Sequence, residues 1–114
     1  NVDTIADKAG TGPVGLTKQH AAKVWGAING TSNSIIGSFN VSSVTDIGTG
    51  THTINYTSAM SNANYATQAS HIENQYNAAY NAVATGGVRL DSRQDDGTLA
   101  DISSKSGTIH GDLA

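Results

Sequence analysis

The groups able to do chemistry in this chain are four histidines, nine carboxylates and four tyrosines, with no cysteine beside them. His20, His52, His71 and His110 show neither the i, i+4 nor the H-x-H spacing of a single-chain metal site. A threefold assembly would change that arithmetic, because one imidazole per chain puts three around the axis. His52, His71 and His110 are the weak metal candidates on that ground, against the simpler role of hydrogen-bonded strand histidines. Asp91, Asp95, Asp96 and Asp101 crowd one stretch, and two carboxylates about 5 to 10 Å apart can cleave a glycosidic bond. Asp-Asp-Gly is also a favoured turn sequence, which is the reading adopted. Calcium-loop spacing, a G-x-S-x-G elbow and a phosphate-binding loop are all missing from the sequence, so acyl and phosphoryl transfer have no visible machinery and no cofactor is expected. Tyr76 and Tyr80 stand four apart among Asn74, Asn77 and Asn81. Rings beside adaptable amides suit polar recognition, so these five residues form the candidate binding set. The alternative is that both rings pack inward or against a neighbouring chain. Trp25, the only tryptophan, is read as a core residue in preference to a sugar-stacking platform.

The frame that must hold these groups is strand and turn. "TKQHAAKVWGAING" (17–30) allows a helix capped by Thr17, or a strand through Val24, Trp25 and Ile28 that ends at Asn29-Gly30. From Ser34 the period is two: Ile35, Phe39 and Val41 share one face, and Ser34, Ser38, Asn40 and Ser42 the other. The alternation slips by one before Val44, which predicts a bulge near Ser42 and Ser43. Beyond the turn "DIGTGT", His52, Ile54 and Tyr56 point inward and Thr51, Thr53, Asn55 and Thr57 outward, which closes a hairpin. A polar bend, "SAMSNAN", leads to a strand at 65–72, where Tyr65, Thr67, Ala69 and His71 alternate with Ala66, Gln68, Ser70 and Ile72. "ENQYNAAYNAVATGG" has no decisive period. The remainder predicts a hairpin around Asp95, Asp96 and Gly97, then a last strand near 108–113.

A length of 114 residues bounds one domain with a modest core. Aromatics at 5% and charged residues at 13%, with abundant Gly, Ser, Thr and Asn, fit short strands and turns. A net charge of -3 offers no general attraction to phosphates or anionic lipid, so neither nucleic acid nor membrane insertion is expected. Residues 1–16, which hold the only proline, read as an extended leader, and 17–114 as a β-rich domain. Because the chain opens on Asn1, a bulky residue after which initiator Met is seldom removed, a segment of something longer is expected.

"FNVSSVTDIGTGTHTINYTSAMSNANYA" closely resembles a module at the ends of bacteriophage tail fibres and related virion appendages. There an FNVSS-type strand meets a D-x-G-T-G turn and a T-x-A-M-x-x-A-N-Y-A run follows. Lys23, Trp25, Asn29, Gly30 and Thr31 match the family's K-A-W-V-N-F-N-G-T segment, and "VRLDSRQDDGTLAD" is similar to its V-R-V-R-T-F-N-x-x-G-T-L-V-D hairpin. The likeness covers most of 18–112. His52 stands where Tyr is common, Ser61 where Pro is frequent, and 73–85 follows no family pattern.

The resemblance implies an all-β virion protein: a small antiparallel β-sandwich or barrel-like domain, homotrimeric, near the host-facing end of a tail fibre, without enzymatic activity. Its partners would be other tail or fibre proteins and a host surface glycan or protein, met by Tyr76, Tyr80, Asn77, Asn81 and Asn74 as receptor-binding residues. The same resemblance accommodates a structural or adaptor piece of a neck, baseplate or head fibre. Trimerisation has a physical motive, since three copies pool sparse apolar faces and hide strand edges.

Overall fold

The computed structural model describes residues 21–72 and 76–114. The expected leader at 1–16 lies outside the described residues. Among these residues there are eight strands and no helix: β1 (Val24–Asn29), β2 (Ser34–Phe39), β3 (Val41–Gly48), β4 (Thr51–Tyr56), β5 (Ala66–His71), β6 (Tyr76–Ala84), β7 (Gly87–Gln94) and β8 (Lys105–His110). They form two antiparallel four-stranded sheets, ordered β2-β1-β8-β5 and β3-β4-β7-β6. A core of Val24, Ile54, Tyr56, Met60, Val88, Leu90 and Ile109 lies between them, as in a β-sandwich.

The ambiguous stretch before Gly30 resolves as strand from Val24. Because β1 turns Val24, Gly26 and Ile28 inward, parity carries Trp25 out, and its ring is 42% exposed. The core reading of Trp25 is thus corrected. Instead the ring lies over Gly37, where an added Cβ would meet it at 3.5 Å.

The single strand expected from Ser34 is two strands in different sheets. The break is Asn40, whose φ of 57° suits a residue that tolerates left-handed backbone. Its side chain fixes the crossing, accepting from Ser58 N at 2.7 Å and donating to Ser58 O at 3.0 Å. Ile35 and Phe39, expected to share a face, lie on opposite sides of the edge strand β2 because the β1–β2 register slips between them, and both are exposed, whereas Val41 packs on the core. The bulge falls where expected: Val41 pairs with Tyr56 and Ser43 with Asn55, leaving Ser42 between them.

In β4, His52, Ile54 and Tyr56 are buried as expected, and Thr51 is buried too. The unsettled 76–84 stretch is a strand laid along β7, with a bulge at Ala82. The hairpin around Gly97 is present, closed by Gln94 N to Thr98 O at 2.8 Å and an Arg93–Leu99 bridge. The last strand starts earlier than expected, at Lys105, and Leu113 only bridges to Met60.

Pairing registers give the sandwich two distinct ends. The chain enters β1 and leaves β8 at one end, together with Asn40, 57–65 and 85–86. At the other end lie the turn after Asn29, the Thr49-Gly50 turn, the start of β6 and 95–104.

Candidate functional site

Strand alternation divides the predicted recognition set. Tyr76 pairs with Gln94 and Tyr80 with Leu90, so both rings lie on the side of β6 that faces the opposite sheet. Because β6 is an edge strand, Tyr80 is still 50% exposed. Asn77 and Asn81 pair with Arg93 and Arg89 on the opposite side, and Asn81 Nδ2 donates to Asp91 Oδ2 at 3.2 Å. Asn74 lies outside the described residues. The two tyrosines, about 13 Å apart along the strand, therefore share a face that the asparagines do not.

Tyr76 opens onto a groove of about 340 Å³ lined also by Gln94, Asp95 and Asp96, at the end away from chain entry. The turn builds the groove's acidic wall. Asp96 accepts from Thr98 N at 2.9 Å, which holds its carboxyl below the usual range, and Gly97 closes the reversal with a φ of 89°. An aromatic face beside carboxylate acceptors can stack on a sugar ring and receive its hydroxyls.

The remaining acids are engaged structurally. Asp101 Oδ1 accepts from Gly50 N at 2.7 Å, and Asp91 lies against Arg89 and Arg93. With Asp96 capping its own turn, the turn reading of Asp95-Asp96-Gly97 describes what is seen.

The histidines separate likewise. His52 is fully buried, its Nε2 2.7 Å from Asn33 Oδ1, and Asn33 Nδ2 in turn donates to Asp46 Oδ2 at 3.1 Å. Burial, then the charge of Lys105, pushes the imidazole below its ordinary range and keeps it neutral. His52 is thus enclosed in its own protomer. His71 pairs with Lys105 on the inner side of its sheet, and His110 with Ala66 on the outer side. Among the described residues no cluster of three or more His, Asp or Glu could hold a metal within one chain.

The group that sequence reasoning missed is Lys105. Its side chain is 1% exposed, and Nζ donates to Gly50 O at 3.1 Å, Leu90 O at 3.2 Å and Ser92 Oγ at 3.3 Å. Burial draws its pKa down to about 8, against the pull of Asp91, Asp101 and Asp46. Ser92 Oγ donates onward to Ala100 O at 2.6 Å. This network ties the Thr49-Gly50 turn to β7 and the 100–105 segment, and so fixes the end at which the Tyr76 groove opens. Shut away from solvent, it positions the surface and reaches no ligand. A lone lysine in a Ser-rich stretch carries no sequence signal of such burial.

No protein-family model, curated protein or solved structure matches the chain.

Proposed function

We propose that the chain is a non-enzymatic bacteriophage virion protein, the distal, receptor-binding domain of a tail fibre, acting as a homotrimer in host attachment. Two things support the reading. The FNVSS to ANYA likeness spans the β2–β3 crossing, the β3–β4 hairpin and the bend into β5, so the resembling residues form one continuous structural unit. The observation that carries attachment is the Tyr76 groove, with its ring and carboxylates at the end of the sandwich opposite chain entry. In a fibre whose shaft leads into β1, that end faces outward. A glycan or protein on the host surface is the ligand this chemistry suits.

Adsorption tests it. Virions carrying Tyr76→Ala together with Tyr80→Ala should lose most of their binding to host cells while keeping normal particle assembly. Unchanged adsorption counts decisively against the reading. One observation favours the second reading, an adaptor in a neck, baseplate or head fibre: Trp25 and Phe39, paired across β1 and β2, are an exposed apolar patch suited to assembly contacts. Labelling the chain and imaging particles separates the two, since an adaptor sits at the collar, baseplate or capsid.

A further inference from the structure

The β7 sequence R-L-D-S-R sends Arg89, Asp91 and Arg93 to the outer face of their sheet while Leu90 and Ser92 turn inward and are buried. These three line a groove of about 400 Å³ with Ile47, Thr51 and Leu99, separate from the groove at Tyr76. Its size is that of a small-ligand site.

Its polar groups are only partly matched to one another. Asp91's side chain is 6% exposed, those of Arg89 and Arg93 34% and 47%. Asp91 Oδ2 receives Asn81 Nδ2 at 3.2 Å and lies 3.7 Å from an Arg93 nitrogen. Oδ1 lies 3.4 Å from Arg89 Nε, yet both atoms are buried and neither makes a hydrogen bond. Such a donor and acceptor left unmade beneath a ligand-sized groove are a standing cost at its floor, and they leave the exposed ends of both guanidiniums as the groups a ligand would meet.

Charge narrows the class. Two guanidiniums face one carboxylate, and Ile47, Thr51 and Leu99 add no charge, so the groove carries one surplus positive charge. Ile47, 54% exposed, and Leu99 give it an apolar wall. We propose that this groove binds a saccharide unit bearing a single negative charge, supplied by a uronic acid carboxylate or a phosphodiester. The acid group meets the guanidinium of Arg93. A ring hydroxyl accepts from the exposed end of the Arg89 guanidinium, and the sugar's C–H face rests on Ile47 and Leu99. The site goes beyond the attachment reading and does not depend on it, since an adaptor with this groove would bind the same group.

Amide-shift titration of the full chain tests it, with methyl β-glucuronide, glucose 1-(methyl phosphate) and neutral methyl β-glucoside as probes. At least one anion should give saturable shifts at 89–93, and the tighter one identifies the acid. The neutral glucoside should bind about tenfold more weakly, the loss of one charge-assisted contact. Arg93→Gln should cost a similar factor, and Arg89→Lys, which keeps the charge but loses the guanidinium fork, should also weaken binding. Lys23→Gln removes the same charge at the opposite end and should leave affinity unchanged. Absence of saturable shifts with both anions overturns the proposal. So does equal binding of the neutral glucoside, or a loss from Lys23→Gln that matches Arg93→Gln.

Discussion

Replacing Lys105 by Met removes a charge that the fold keeps out of water, and the effect is readable as a pH dependence. The ammonium is buried among two carbonyls and a hydroxyl, and its pKa falls from 10.5 to about 8. Since the folded value lies below the unfolded one, the unfolded chain binds more protons between the two. Stability therefore rises with pH through that window. The full penalty, present below the folded pKa, is about 3 kcal/mol at roughly 1.4 kcal/mol per pH unit. Between about pH 7.5 and about pH 9.5 roughly 2 kcal/mol of it is relieved. Tyr56 and Tyr65 act in the opposite sense, because burial raises both hydroxyl pKa values and the unfolded phenols begin to ionise first. At about pH 9.5 that offset is still small, because the unfolded phenols, with an ordinary pKa of about 10, are mostly protonated there. His52, lowered from 6.5, has completed its contribution before this range begins. Thermal unfolding at fixed protein concentration should show the Tm of the native chain rising by about 10 °C over the interval. Lys105→Met should be flat or fall slightly. The slope is the observable, because Met also leaves Leu90 O and Ser92 Oγ without this donor. A native Tm indifferent to pH, or an equal rise in the variant, refutes a buried ammonium.

Gly50 has a φ of 73°, and a Cβ there would stand 2.6 Å from both Ala100 N and Ser92 O, so Gly50→Ala should cost more than about 3 kcal/mol in urea unfolding. Gly97 has a φ of 89° but open space around it, so Gly97→Ala should cost only about 1 kcal/mol, and the reverse order would contradict the packing. Tyr65→Phe removes donation to Ala84 O at 2.7 Å and Gly87 O at 3.1 Å, and should cost about 1 to 3 kcal/mol by the same assay. Tyr56→Phe, which loses only its contact with the Tyr65 hydroxyl at 3.0 Å, should cost less. For the proposed homotrimer, Trp25→Ser with Phe39→Ser should lower the light-scattering mass to that of a monomer, and an unchanged mass would remove the β1–β2 strip from the interface.

Parity along single strands was legible wherever one face is apolar. His52, Ile54 and Tyr56 declare the inner face of β4 outright, and the slip before Val44 locates the bulge at Ser42. Sheet membership was not legible. β2 and β3 read as one strand because Asn40 continues the polar alternation, and only its positive φ sends the chain across. β6 was opaque because Ala and Asn have low strand propensity; its conformation comes from pairing with β7, a long-range constraint. The two tyrosines were correctly placed on one face by their spacing. The asparagines were grouped with them by composition, which ignores the alternation that separates them. Arg89, Asp91 and Arg93 carry a period-two signal, but alternating charge marks an outer face without showing that a groove lies over it.

The distribution of polar and apolar groups bears on assembly. From Val24 to Thr45 there is no charged residue, and this span contains all of β1 and the edge strand β2. Edge strands normally carry charges or proline that block pairing with another chain, and β2 instead exposes Ile35, Ile36 and Phe39 beside Trp25. Meanwhile the interior holds Lys105, His52 and Ser92. An edge this greasy and unguarded is what the proposed homotrimer would cover. Pairing at β2 would cover the unmatched backbone groups and the apolar strip together, with no charge to desolvate. For the proposed homotrimer, a heterologous contact from this edge to an uncharged edge such as β5 or β6 on the next copy closes into a ring only where the rotation between copies closes. Such closure would leave the Tyr76 end open to whatever the assembly meets.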